Sequence, residues 1–172
     1  MKPPAQSDIV TDTSVLINFL NVDRLDLFAR SNTYRFFVTE HVKREITDHY
    51  PKQIARLEEG IASGALREIV VNTIEELVTF AELSTTKRLG LGECAAITAA
   101  VHRQLLLAID DRQAIKATHR LCQEKKILTT TDVMVSFIQE GLLTVAEADQ
   151  IKAAWETQYR FKLEFSSFQD KL

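Results

Sequence analysis

Acidic residues at Asp12, Glu45, Glu93 and the adjacent pair Asp110 and Asp111 are the positions in this 172-residue chain best placed to do chemistry. Asp12 directly follows a short β-type run, Ile9 to Thr11, and Asp110 and Asp111 directly follow a continuous apolar run, Leu105 to Ile109. Glu45 falls within the helix after the second strand run, and Glu93 opens a helix after the break Gly90-Leu91-Gly92. Gathered at one rim, such groups are costly, since two carboxylates about 5 Å apart repel by roughly 3 kcal/mol at an effective dielectric near 20. A divalent cation reverses that sign. Mg²⁺ and Mn²⁺ prefer oxygen ligands, and Mg²⁺ keeps several of its waters. Such an ion acidifies water and stabilises charge developing on a phosphate, the two needs of phosphodiester hydrolysis. Thr13 and Ser14 can orient a water or a ligand carboxylate. Lys43, Arg44 and Arg112, with Lys87 and Arg88, lie near the acids in sequence and are candidates for steering phosphate. Taken singly, Asp12 or Asp110 also reads as a helix cap, Glu93 as a partner of the helix dipole, and each cation as part of a solvated helix face. The joint placement of the acids at strand ends favours the metal reading.

The elements that must position these acids alternate. Strands are expected at Ile9 to Thr11, Arg35 to Val38, Leu66 to Val71, Leu105 to Ile109 and Lys126 to Thr129. Helices are expected after the capping residues Asp12-Thr13-Ser14, around Leu25 to Phe28, from Thr39 to about Pro51, and from Lys52 to about Ala62. Further helices are expected over Ile74 to Leu83, Glu93 to Val101, Gln113 to Leu121, Asp132 to Gln139 and Val145 to about Gln158. The continuous apolar run before Asp110 is the pattern of a buried parallel strand. The whole order points to an α/β layered sheet with its ligand site at the carboxyl ends of the strands. The tail from Tyr159 to Leu172, with Phe161, Leu163, Phe165 and Phe168, is expected to pack back as an arm or to serve an interface. His41, one turn before Glu45, reads as a surface or capping residue, and Trp155 reads as packing on the last helix.

Composition sets the outer limits. Lys and Arg total 21 against 24 Asp and Glu, a formal net charge of -3, which excludes a polybasic chain that binds nucleic acid or membrane through bulk charge. With the five acids of the candidate site set aside, the remainder of the chain is mildly basic. Five Gly and three Pro argue against disorder and against a turn-rich all-β protein. No apolar run reaches the roughly 18 residues that span a bilayer, and the opening residues lack the apolar core of a secretory signal. Cys94 and Cys122 form no CxxC and the four His show no zinc spacing, so a reduced, cytoplasmic setting without membrane contact is expected.

Four segments resemble the motifs of the PIN-domain family. Ile9-Val10-Thr11-Asp12-Thr13-Ser14 resembles the first, a strand ending in Asp followed by Thr or Ser. Val38 to Ile46, containing Glu45, resembles the second, Leu91-Gly92-Glu93-Cys94-Ala95-Ala96-Ile97 the third, and Leu106 to Ala114, containing Asp110 and Asp111, the fourth. The "GE" and "IDDRxA" wording is closest to a branch of PIN-like proteins described as nucleic-acid binding. The resemblance covers roughly residues 8 to 145. It implies a three-layer α/β fold, a parallel sheet of about five strands in the order 3-2-1-4-5 flanked by helices. The expected organisation is a nuclease domain over 1–145, with a C-terminal helix and aromatic tail over 146–172 packed on the domain or at an interface. The implied activity is a metal-dependent endoribonuclease, the toxin of a toxin–antitoxin pair. Asp12, Glu45, Glu93 and Asp111 would be catalytic and, with Asp110, would hold one or two Mg²⁺ or Mn²⁺ ions. The implied partners are an RNA substrate, a cognate antitoxin and a second copy in a homodimer. The alternative is a PIN-like binding or interaction module with little or no activity. Two departures stand out. Many relatives have Thr-x-Asp in the fourth motif, whereas here Ile109 takes the Thr position if Asp111 is the ligand. Thr129-Thr130-Thr131-Asp132 replaces a Gly-rich stretch.

Overall fold

The computed structural model describes residues 5–85 and 88–172. Its centre is β1 (Ser7–Thr11), flanked by β2 (Tyr34–Thr39) and β4 (Leu106–Ala108). β3 (Arg67–Ile69) adds beyond β2 and β5 (Ile127–Leu128) beyond β4, giving a wholly parallel sheet of order β3-β2-β1-β4-β5. The helices are α1 (Thr13–Asn21), α2 (Asp26–Arg30), α3 (Glu40–His49), α4 (Ile54–Ala62) and α5 (Ile74–Ser84). They continue with α6 (Leu91–His102), α7 (Arg112–Leu121), α8 (Thr130–Gln139) and α9 (Val145–Gln158). This is the three-layer α/β arrangement expected from the sequence.

Period-two alternation in β1 sends Ile9 and Val10 to opposite faces. Ile9 joins a core with α1, Phe36, Phe137 and Trp155, and Val10 joins a second with Cys94, Ile97 and Leu107. Helix α6 explains the second core. Its small residues Ala95, Ala96, Ala99 and Ala100 are buried and let the helix lie close on the sheet. The tail is part of the first core. Trp155 and Phe168 are fully buried, and Trp155 Nε1 donates to the Asn18 carbonyl at 2.8 Å. Among the described residues no helix is long and apolar enough to cross a membrane.

Most strand and helix bounds shift by a residue or two from the sequence reading, and two of the shifts bear on the acidic rim. Helix α6 starts at Leu91, not Glu93, because the Glu93 carboxylate reaches back to accept from the Gly90 N–H at the N-cap. Helix α8 starts at Thr130, not Asp132, because Thr129 caps it and the Thr130 N–H is held by Asp110. The register fixes the rim itself. Thr11 is paired with Val38 and with Ala108, so Asp12 emerges level with Thr39 and Ile109 at the carboxyl edge.

Candidate metal centre

Asp12 caps α1. Its Oδ2 accepts from the Ser14 N–H at 3.1 Å and from Ser14 Oγ at 2.8 Å. The residue is 1% exposed, and its Oδ1 is buried with no partner among the described residues. Burial pushes its carboxyl up to about 6 against the Ser14 hydrogen bonds, which act the other way. A buried carboxylate oxygen without a donor is expensive unless a cation or a proton meets it.

Glu45 is held from two sides. Its Oε2 accepts from Thr13 Oγ1 at 2.6 Å, and its Oε1 accepts from the Gly92 N–H at 2.8 Å. The Gly92 contact explains why glycine precedes Glu93, since a Cβ there would lie 2.7 Å from Glu45 Cδ. Gly92→Ala is therefore expected to displace Glu45, to cost about 1–3 kcal/mol of stability and to weaken Mn²⁺ binding by at least about tenfold. Thermal denaturation and a Mn²⁺ titration check this, and unchanged Mn²⁺ affinity would remove Glu45 from the site.

Glu93 brings the others together electrostatically. Its carboxyl is pushed up to about 7, first by burial and then by the negative charges of Asp12, Asp111 and Glu45. The thiol of Cys94 is raised to about 11 by burial and by Glu93, Glu45 and Asp12. Asp111 caps α7, with Oδ1 accepting from the N–H groups of Gln113 and Ala114 at 2.8 and 2.9 Å. The capping and chemical readings of these acids thus coexist. Asp12, Glu93 and Asp111 each spend one oxygen on a helix start, and no described hydrogen bond reaches Glu93 Oε1 or Asp111 Oδ2. An open cavity of about 390 Å³ lies over Asp12, Thr13, Ser14, Glu45 and Glu93, with Tyr50, Arg88 and Gly90 completing its wall.

Asp110 has a different environment. Its Oδ1 accepts from the Thr130 N–H at 2.8 Å, and its Oδ2 accepts from Thr130 Oγ1 at 2.6 Å and Asn18 Nδ2 at 3.4 Å. Burial raises its proton affinity, and Thr130 opposes the rise. It ties β4 to the starts of α8 and α1, beside the rim that Asp111 enters. Ile109 is fully buried in the second core. The hydroxyl at this point comes instead from Ser14, whose Oγ bonds Asp12 and also accepts from the Asp110 N–H at 3.1 Å.

The cations are dispersed. Lys43 Nζ donates to Glu68 on β3 at 2.7 Å, Arg44 is exposed on α3, and Arg112 lines a second cavity beside Asp110. Arg88 lines the acidic cavity, and Lys87 lies outside the described residues. His41 packs against Phe80 with ring centres 4.7 Å apart and planes tilted by 43°, and its Nδ1 lies 3.3 Å from Glu40 Oε1. Tyr50 was not singled out by sequence reasoning; it ends α3 next to Pro51, and only the turn of the chain brings it to the cleft.

The arrangement suits a hard divalent cation. The donors are carboxylate oxygens, one is buried and unpartnered, and burial with neighbouring carboxylates raises the proton affinities of Asp12 and Glu93. Among the described residues no three such donors are gathered closely enough to enclose an ion.

Comparison with known proteins agrees with the fold. The solved structure of PAE2754 from Pyrobaculum aerophilum superposes with a TM-score of 0.51 at 13% identity, over 81% of this chain and 94% of that one, which is a likeness of fold. No curated protein matches the sequence. The family described as PIN domain, whose fold is of nuclease type, matches residues 8–162, nearly the whole chain. The chain belongs to the PIN-domain family.

Proposed function

We propose that the protein is a metal-dependent endoribonuclease that hydrolyses RNA phosphodiester bonds using one or two Mg²⁺ or Mn²⁺ ions. The observation that carries this reading is the buried, unpartnered Asp12 Oδ1, at a rim where Glu93 feels the charges of Asp12, Glu45 and Asp111. Asp12, Glu45, Glu93 and Asp111 would hold the cation. When bound, it supplies an acidified water and neutralises charge at phosphorus.

The remaining work falls to the chain's own residues. Thr13 and the Gly92 N–H fix both oxygens of Glu45, so that α1, α3 and α6 are locked at the rim. Ser14 fixes Asp12 and the turn that presents Asp111. Arg88 offers positive charge to a phosphate entering the cleft, and the exposed ring of Tyr50 offers a surface to an unstacked base. A small open cleft of this kind suits single-stranded or looped RNA, whose bases and backbone are accessible.

Asp111→Asn is expected to abolish cleavage of single-stranded RNA with little change in Tm, because Asn caps a helix as well as Asp. Asp110→Asn is expected to lower Tm through its lost hold on Thr130 while retaining measurable cleavage. Gel-based cleavage assays with Mg²⁺ and Mn²⁺, alongside denaturation, check both. If wild-type protein freed of any bound inhibitor cleaves no RNA with either metal, the nuclease reading falls and a PIN-like binding module remains.

As the toxin of a toxin–antitoxin pair, the protein would be silenced by a partner whose basic segment covers the open acidic rim. Expression of wild type is then expected to arrest growth, and expression of Asp12→Asn is not. A homodimer would draw on α5, where Ile74, Leu77 and Val78 are exposed. Sedimentation of Ile74→Glu against wild type tests it.

A further inference from the structure

A second cavity, of about 520 Å³, opens next to the acidic rim. One wall is Asp110 and Arg112 at the start of α7, another is Thr129, Thr131 and Asp132 at the start of α8, and the third is the C-terminal arm from Phe161 to Lys171. We infer that this cavity, resting on the ribonuclease reading above, is a substrate subsite. In it the arm and Arg112 hold the single-stranded RNA flank that leaves the cleavage site.

Three observations support that occupant. The arm is built into the fold. Phe161 packs edge-on against Trp155 at 5.5 Å, the Phe161 N–H donates to the Trp155 carbonyl, and Asp149 accepts from Ser167 Oγ and the Phe168 N–H at 2.6 and 2.8 Å. Its backbone is therefore ordered before binding, which lowers the ordering cost to that of the exposed side chains. The cavity also combines cations with rings; of the carboxylates lining it, Asp110 and Asp132 are engaged at the start of α8 and Glu164 is exposed. Arg112, Lys162 and Lys171 line it, are exposed, and make no salt bridge among the described residues, while Phe161 and Phe165 are half-buried with ring surface left over. Lys171 Nζ lies 4.9 Å from the Phe165 ring centre, so a positive charge and an aromatic face adjoin. That pairing of phosphate-binding charge with base-stacking rings is the chemistry of single-strand binding. Finally, Arg112 follows Asp111 directly, so the subsite begins one residue from a rim carboxylate, and it shares no lining residue with the cavity that Tyr50 and Arg88 line.

The test is binding of a labelled short oligouridylate, followed by fluorescence anisotropy across a salt series without divalent cation, so that no cleavage intervenes. Lys162→Glu combined with Lys171→Glu is compared with wild type and with Lys116→Glu combined with Arg120→Glu, an equal charge change on exposed positions of α7 outside both cavities. The arm pair is expected to raise Kd at least tenfold beyond the control pair and to lower the salt slope by about 1.4, two cations at about 0.7 each. In cleavage assays with Mn²⁺ it is expected to raise KM with kcat little changed. Equal effects of the two pairs, or none, would overturn the subsite and leave the cavity to another occupant, such as a protein segment. If the arm pair shifts binding as expected but wild type shows no metal-dependent cleavage, the subsite stands and the nuclease reading falls. If wild type cleaves and the arm pair leaves KM unmoved, the nuclease stands and the subsite falls. If wild type binds no RNA, both fall.

Discussion

Asp12→Asn is expected to abolish cation-dependent RNA cleavage and, in the same protein without cation, to raise Tm. The two effects have one cause. Asp12 is fully enclosed and its Oδ1 has no partner, so the fold resists its ionised form. A carboxyl moved from 3.8 to about 6 costs the folded state about 3 kcal/mol at pH 8, where the unfolded chain ionises freely. Asn keeps an oxygen for the Ser14 N–H and carries no charge, so it recovers part of that cost, about 1–2 kcal/mol. For a chain of this size the gain corresponds to roughly 3–6 °C. Activity moves the other way. Outer partners of metal ligands typically contribute 10- to 100-fold, and loss of a ligand carboxylate at the centre of the rim exceeds that. A Tm that falls, with cleavage retained, would make Asp12 an ordinary cap.

The pH dependence of stability is expected to run opposite to that of a protein held by surface ion pairs. Asp12 and Glu93 are both raised in the folded state, to about 6 and about 7. Folded protein therefore binds more protons than unfolded protein between roughly pH 4 and pH 7, and stability falls as pH rises through that window. Above it the loss is complete and stability is level. Glu76, lowered to about 2 by Arg103, behaves oppositely, but its contribution is fully present above the usual carboxylate range. Between pH 5.5 and 8 the rim therefore dominates. Metal-free Tm is expected to decline over this interval by several degrees, and millimolar Mn²⁺ is expected to restore it most strongly at pH 8, where the carboxylates are ionised. Calorimetric scans with and without Mn²⁺ at the two pH values check the sign, and Asp12→Asn is expected to flatten the slope. A metal-free Tm that rises from pH 5.5 to 8 would contradict the account.

Much of the rim was legible because parallel sheets write themselves plainly. Strands buried on both faces read as apolar runs, and the acids directly after them must emerge at the carboxyl edge. Asp12 and Asp111 were found that way, and their helix-capping positions confirmed the local reading without excluding the chemical one. What was not legible depends on residues distant in sequence. Asp110 and Asp111 follow the same strand, and Thr130, 20 residues on, with Ser14 and Asn18 of α1, gives Asp110 its separate environment. Gly92 looked like a helix breaker, but its place is set by contact with Glu45, 47 residues earlier. Tyr50 carries no motif and reaches the cleft through the course of α3. The arm has no periodicity, so its order comes from Trp155, Asp149 and Phe168, which no local pattern announces.

The central claim is that the carboxylates of Asp12, Glu45, Glu93 and Asp111 hold a divalent cation. Titration of Mn²⁺ into the purified protein at pH 8, followed by electron paramagnetic resonance of the free ion, tests it most directly. Wild type is expected to take up Mn²⁺ saturably, Asp12→Asn and Glu93→Gln to lose that uptake, and Asp110→Asn to retain it. Wild-type protein that takes up no Mn²⁺, or Asp12→Asn and Glu93→Gln proteins that bind it as wild type does, would contradict the claim.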